Sequence, residues 1–529
     1  MAKGKQRATA EYEPLAAGWE AVIGVECHIQ LKTSTKLFSS APSASSSSAT
    51  QHIDDGPNSR VVPFDAALPG SLPRLTREPV TLALKACIAM GCTLENDVGF
   101  DRKHYFYPDL PSGYQITQRY APLARDGRLR LRFDEGYLGD VADEVEVRIE
   151  QVQLEQDTAK STHHFTSSQQ HQRTFVDVDR AGQPLIEVVS GPDMRKPEQA
   201  GAYVRKLREV VRRIGASDGN MDEGSLRCDV NVSVHRIGEP WGTRCEVKNL
   251  NSVRFVMNAA AHEMHRQQRI LAGGGTVEQE TRAYDEVGAT TYRLRSKEQS
   301  PDYRYMPDAN LAPLAVAGDE RLLDEVRASM PELPDEQRSR LLETYGLPAR
   351  DINVLMRIGL EDEGAVSSDD DVSAVAFFEQ VAQGRDARVA INWTIQELLK
   401  ALNSQSLAFR QNPVSAEHLG ELIDVVESGQ ATMSTARKLV ESLVSRSVEL
   451  KKGQRVLAYL EQQGALALNS AADLGPLCQE AVEALPSEAE AVKEGKIKAV
   501  ERIVGQVMKL AKGRADANAT RKLLLEMLK

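Results

Sequence analysis

Glu26, Glu155, Asp157, Asp229 and Glu246 share one setting: each lies on, or just beyond, a segment in which apolar and polar residues alternate. Alternation sends successive side chains to opposite faces of a strand, so these acids are predicted to stand on polar faces. Grouped there, with His28 as a further ligand or orienter, they would suit a Mg2+–nucleotide site on an open antiparallel sheet. Mg2+ takes oxygen donors, usually one or two protein carboxylates together with phosphates. Lys103, Arg180, Arg227 and Lys248 are cations of the kind that neutralise phosphoryl oxygens during transfer. The same alternation also describes the solvated outer face of a sheet packed on helices, and spacing alone leaves both readings open. No P-loop or G-x-G-x-x-G string occurs, so a nucleotide site here is of neither the P-loop nor the Rossmann type.

The elements that must position these residues follow from the same periodicity. Residues 22–31 (VIGVECHIQL) place Ile23, Val25, Cys27, Ile29 and Leu31 on one face and Glu26, His28 and Gln30 on the other. Residues 225–234 (SLRCDVNVSV) oppose Leu226, Cys228, Val230, Val232 and Val234 to Arg227, Asp229, Asn231 and Ser233. In residues 146–157 the apolar set shifts from Val147 and Ile149 to Val152 and Leu154, which predicts a bulge near Glu150 and Gln151. That bulge aims Gln153, Glu155 and Asp157 to one side. Residues 244–248 (RCEVK) set Cys245 and Val247 against Arg244, Glu246 and Lys248. Amphipathic helices are expected over residues 197–214 and 252–271, each ending at glycine. An Ala/Ser run over residues 39–50 reads as a loop. Residues 100–118 (FDRKHYFYPDLPSGYQITQ) concentrate Tyr105, Phe106, Tyr107 and Tyr114 in a chain with only 5% aromatics; such a loop either stacks a base or anchors itself.

The whole chain bounds these readings. At roughly 150 residues per domain, 529 residues make about three domains. We divide them as an N-terminal extension 1–18, a mixed α and β region 19–310, a helical region 311–390 and an all-helical tail 391–529. A net charge of −11 gives no bulk attraction for a polyanion, so nucleic-acid contact needs local basic patches. The last 21 residues supply one, with six Lys/Arg against two acids. No apolar run approaches the roughly 18 residues of a membrane span. Residues 1–18 lack the apolar stretch of a secretory signal. Six scattered cysteines with no C-x-x-C pair argue against a disulfide framework or zinc knuckle.

The strings FDRKHYFYPDLPSGYQITQ, VQLEQDTAKS, DRAGQPLIEVVSGPD, DEGSLRCDVNVSV, EVKNLNSVR and RSKEQSPDYRYMPDANL occur in this order. Together they resemble the B subunits of the glutamyl/aspartyl-tRNA amidotransferases, from about residue 20 to the C-terminus. The resemblance implies an α+β fold: a cradle domain whose antiparallel sheet is related to the glutamine-synthetase catalytic fold, then a helical domain and a YqeY-like tail. It implies ATP- and Mg2+-dependent phosphorylation of the γ-carboxyl of glutamate misacylated onto the glutamine tRNA. Ammonia channelled from an amidase A subunit then displaces phosphate, and a third small subunit completes a heterotrimer. The glutaminase nucleophile belongs to the amidase, so no nucleophilic serine is expected here.

Carried over position by position, Glu26, His28 and Glu155 look like the Mg2+ and phosphoryl-site residues. Lys103 and Arg227 join them as catalytic candidates, while Asp157, Arg180, Asp229, Glu246 and Lys248 are candidates for cofactor binding. Asp101, Lys103 and Lys160 look like residues near the channel mouth. Glu187, Glu223 and Asn249 match motif positions without a single role, as do Arg295, Lys297, Asp302, Tyr303 and Arg304. The tail implies a grip on the tRNA body through Lys512, Arg514, Arg521 and Lys522. Many bacterial members carry a cysteine zinc site between the first strand and the LPG motif. This chain has serines, Val62 and Asp65 there, so no zinc is expected. Fungal mitochondrial members resemble this version, which points to the mitochondrial matrix rather than a bacterial cytoplasm, with a mitochondrial glutamine tRNA as substrate. Two rival functions are a stand-alone glutamine-synthetase-like ligase, for which the helical tail has no use, and a non-catalytic tRNA-binding assembly protein, whose clustered carboxylates would repel phosphate.

Overall fold

Alternating segments do become strands, and most of them join a single sheet. The computed structural model describes residues 12–43, 56–165, 172–296, 302–362, 373–451 and 453–529. Most of the Ala/Ser run and Lys297 lie outside these described residues. In chain order the first part comprises β1 (Trp19–Gln30), α1 (Arg77–Ala89), β2 (Thr93–Leu94), β3 (Asp97–Val98), β4 (Asp101–His104), β5 (Tyr114–Thr117), β6 (Ala124–Leu131) and β7 (Val145–Gln156). There follow β8 (Lys160–Phe165), β9 (Gln172–Asp177), β10 (Pro184–Ser190), α2 (Pro197–Arg213), β11 (Leu226–Arg236), β12 (Cys245–Leu250) and α3 (Val253–Ala272). The series closes with β13 (Glu280–Asp285), β14 (Thr290–Ser296), β15 (Met306–Pro307), β16 (Leu314–Ala315), α4 (Glu320–Ala328) and α5 (Pro334–Tyr345).

Nine strands form the main sheet in the order β14-β13-β12-β11-β1-β10-β7-β6-β2. Every pair is antiparallel except β12 with β13. The fold is therefore α+β. On one face Ile23, Cys27, Ile29, Val152, Leu154, Ile186, Val188, Cys228, Val230 and Val232 are fully buried, and α1, α2 and α3 cover this face. Burying each such aliphatic side chain contributes about 1.5–3 kcal/mol. Slipping β1 by one residue would exchange this set for Glu26 and His28, so the core fixes which residues face outward. The bulge expected in β7 is present: Val189 pairs with Gln151 and Ser190 with Ile149, leaving Glu150 as the extra residue.

The chain does not leave this sheet unit at residue 311. β16 pairs with β3, and Leu323 and Val326 of α4 enter the same core. The physical reason is that α4 has a single narrow apolar stripe, which is buried only against a core that already exists. The chain divides into two compact units near residue 340. In the second unit, one core runs from Leu341 to Leu460 and a smaller one from Leu474 to Leu528. The first of these crosses residue 390, the boundary expected between linker and tail. Among the described residues no helix is long and apolar enough to cross a membrane.

Candidate functional site

Strand order turns sequence-distant acids into neighbours. Because β1 lies between β10 and β11, His28 stands opposite Glu187 on one side and Arg227 on the other, while Glu26 stands opposite Asp229. Gln153 of β7 continues the row beyond Glu187 and donates from Nε2 to Glu187 Oε2 at 2.5 Å. All these side chains occupy the face away from the helices.

Three ligand atoms converge there. Single donor atoms of Glu26, His28 and Glu187 lie within 4.8 Å of one another, with His28 Nε2 3.8 Å from Glu26 Oε1. Two carboxylates with one imidazole make a mainly oxygen donor set that fits a hard divalent cation. The Glu26 and Glu187 carboxyls are close enough to share a hydrogen bond. Burial, then the hydrogen bond and charge of Glu26, push Glu187 well above the ordinary carboxyl range. Burial also raises Glu26, but the bond from Glu187 and the charges of His28, Lys248 and Lys103 outweigh it, and its pKa falls. Glu187 thus holds a proton more tightly than Glu26, the expected behaviour of two acids sharing one site.

The sequence-expected ligand set differs by one residue. Glu155 does not join Glu26 and His28 in this group; its Oε1 accepts from Gln115 Nε2 at 2.8 Å, and the third place belongs to Glu187. The reason lies in the register, since Glu155 faces Leu185 on β10, two residues from Glu187. A sequence signal for Glu187 existed: it is the lone charge in the apolar strand PLIEVVS.

Cations surround this group. Desolvation works against the charge on Lys103, yet Glu155, Tyr305, Glu187 and Tyr303 together hold its pKa above the ordinary lysine value. Lys248 likewise stays charged despite burial, held 2.7 Å from Asp229 and 3.0 Å from Glu246. That geometry depends on a local irregularity: Asn249 takes a left-handed φ of 59°, which asparagine tolerates, and its N–H donates to Asp229 Oδ1 at 2.8 Å. Arg227 is 3.2 Å from Asp157.

Other expected residues have structural duties. The Arg180 guanidinium donates to the carbonyls of Thr158 and Ala159 at 2.9 and 2.8 Å, and its remaining neighbour is Asp157 at 3.8 Å. Arg180 and Asp157 therefore shape the turn after β7. Buried Asp101 accepts from the N–H groups of Arg119 and Tyr120. Lys160 and Glu223 are exposed. Asp65, one of the residues standing where thiolates would lie, is buried against Lys36 at 3.3 Å and accepts from the Val62 N–H. In the second unit, Arg514 donates to the carbonyl of Gly464 at 2.6 Å and Arg521 pairs with Glu501, leaving Lys512 and Lys522 as the exposed lysines of that set.

Over the β7 side of this face lies a small sheet, β15-β4-β5. By pairing with β4, β15 brings the distant DYRYMP segment beside Lys103. The Lys103 ammonium sits 5.1 Å from the Tyr303 ring centre. Tyr107, Tyr105, Tyr303, Tyr305 and Tyr120 follow one another edge to face at 5.8, 5.9, 6.0 and 6.4 Å. The inner tyrosines anchor the loop, while Phe106 (87% exposed) and Tyr107 (57%) project outward.

A polar cavity of about 280 Å3 opens beside Glu26 and Lys103, bounded further by Asn231, Glu246, Lys248 and Tyr303. Its opposed charges, with Glu26 of the ligand group on its wall, are suited to holding a polyanion and a divalent cation together.

Comparison with known proteins agrees in its extent. The family described as the GatB/GatE catalytic domain matches residues 21–321, and that described as the GatB domain matches residues 376–528. The B subunit of the mitochondrial glutamyl-tRNA(Gln) amidotransferase of Mycosarcoma maydis is 50% identical, covering 98% of this chain and 88% of that protein. Its counterpart from Laccaria bicolor is 44% identical over 97% and 92% of the two chains. The B subunit of the aspartyl/glutamyl-tRNA(Asn/Gln) amidotransferase of Brucella suis is 39% identical over 96% and 95%.

Proposed function

This chain belongs to the GatB family of amidotransferase B subunits, and from that premise we propose that its open sheet face carries the kinase and transamidase half of a glutamyl-tRNA(Gln) amidotransferase. The observation that carries the reading is the convergence of Glu26, His28 and Glu187 beside Lys103 and the polar cavity. Fungal relatives named as mitochondrial enzymes support a mitochondrial setting, and we place the protein in the matrix.

A carboxylate is a poor acyl donor until one oxygen becomes a leaving group, and ATP supplies the phosphoryl group that does this. Glu26, His28 and Glu187 would hold Mg2+, which neutralises phosphate charge when bound. For this role Glu187 must lose its proton. Lys103 remains charged next to Glu155 and is placed to steady the glutamyl γ-carboxylate or the phosphoryl oxygens. Asp229 and Glu246 clamp Lys248 in one orientation, and Asp157 does the same for Arg227, so these cations are preorganised rather than floppy. Ammonia from the amidase A subunit would then attack the activated acyl carbon, expelling phosphate, in a space kept from bulk water so that it stays unprotonated. Phe106 and Tyr107 offer apolar surfaces for the terminal bases of the tRNA.

In the same reading the sheet is related to the glutamine-synthetase catalytic fold, a third small subunit completes the enzyme, and the tail grips the tRNA body through Lys512 and Lys522. The buried Lys36 ammonium beside Asp65 favours the absence of zinc, because a fixed cation repels a metal ion. The direct test is transamidation of glutamyl-tRNA(Gln) by the assembled complex with ATP, Mg2+ and ammonium chloride. Glu26→Ala, His28→Ala and Lys103→Ala should each lower kcat by about 100-fold or more. Full activity in all of them would overturn this site.

A further inference from the structure

The cavity beside Glu26 has an unbalanced charge account. Three carboxylates bound it, Glu26, Glu246 and Glu280, as do four cations, Lys103, Lys248, Arg244 and Arg295. Glu246 is matched by Lys248. Glu280 is matched from outside the cavity by Arg282, by Arg266 at 3.4 Å and by Arg293 at 3.4 Å. Lys103 has Glu155 and Glu187, and Glu26 belongs to the metal-type cluster. Arg244 and Arg295 are left over: no carboxylate lies within ion-pair distance of either among the described residues.

Both arginines are placed by the backbone. Arg295 is half-buried on β14 and registers opposite Thr281 of β13, which also borders the cavity. Arg244 immediately precedes β12. Two residues earlier, at Gly242, an added Cβ would come within 2.1 Å of the Val234 carbonyl oxygen, so only glycine lets the chain run this close to β11 and enter β12 with Arg244 at the cavity. Two guanidinium groups with no carboxylate partner among the described residues, bounding a cavity that Glu26 also bounds, suit an anion. Their planar forks match phosphate oxygens in bidentate fashion.

We propose that Arg244 and Arg295 clamp the polyphosphate of a nucleoside triphosphate in this cavity, with Glu26 holding the cation that accompanies it. This assignment rests on the function proposed above and adds the two residues that would bind the nucleotide. A phosphodiester of the tRNA 3′ end offers the same chemistry, and the experiment separates the two sources.

The test is calorimetric titration of ATP with Mg2+ into the assembled amidotransferase without tRNA, beside filter binding of glutamyl-tRNA(Gln) without nucleotide. Arg244→Ala and Arg295→Ala should each weaken ATP binding by about tenfold. Arg295→Lys should recover only part of the loss, and adenosine should bind all variants alike. ATP-induced protection against thermal unfolding should fall in parallel, with ligand-free unfolding unchanged. Weaker tRNA binding with unaltered ATP affinity would overturn the nucleotide assignment in favour of RNA phosphate. Unaltered affinity for both in the double variant would overturn the clamp while leaving the proposed function standing. Failure of the unaltered complex to bind ATP at all would overturn both.

Discussion

Glu187→Gln should make the metal-free protein more stable while weakening the site's hold on Mg2+. Glu187 is 7% exposed, and burial together with the Glu26 carboxylate raises its pKa in the folded state. A carboxyl raised on folding contributes stability that is complete below its unfolded pKa and is lost as pH rises through its folded value. Once the pH exceeds the folded value, the wild type therefore carries a penalty of about 1.4 kcal/mol for each unit of that rise, and an uncharged isostere removes it. The same proton governs metal binding: because Glu26 and Glu187 share one proton, a cation must displace one. Below the raised pKa of Glu187, Mg2+ affinity should rise about tenfold per pH unit, and Glu187→Gln should reduce the slope by one proton. Calorimetry in two buffers of different ionisation enthalpy counts the protons released. Equal proton release by both proteins, or a less stable variant at neutral pH, would refute the reasoning.

Two further outcomes concern the frame. Buried Lys206 donates to Glu135 at 2.5 Å and pairs with Asp335, so Lys206→Met strands a buried carboxyl that desolvation already pushes upward. The expected loss is about 3–5 kcal/mol at neutral pH. It should shrink toward acid pH as Glu135 protonates, and denaturant midpoints at two pH values would check this; a pH-independent loss would contradict it. Deleting residues 470–529 removes the small Leu474–Leu528 core whole and leaves the Leu341–Leu460 core uncut. The truncated complex should stay folded by circular dichroism and bind tRNA more weakly, with a shallower salt dependence; unchanged tRNA affinity would sink the tail's role.

Much of the site was legible because alternation assigns faces locally. Hydrophobic residues at every second position of residues 22–31 and 225–234 required that Glu26, His28, Arg227 and Asp229 face away from the core, and burial of Cys27 and Cys228 agrees. The β7 bulge was readable for the same reason: the apolar set changes parity at Glu150. Periodicity names the face of a strand but is silent about its neighbours. Whether Glu155 or Glu187 completes the ligand group depended on the register of β10 against β7 and β1. Tyr303 reaches Lys103 only because β15 pairs with β4 across some 200 residues of chain, and Arg295 reaches the cavity only through the β13–β14 hairpin. Fold class, the polar strand faces and the family motifs were thus determined by sequence alone. Which charged groups meet, which are already neutralised and which remain free for a ligand were decided by tertiary structure, because pairing between distant strands leaves no periodic signal in either strand.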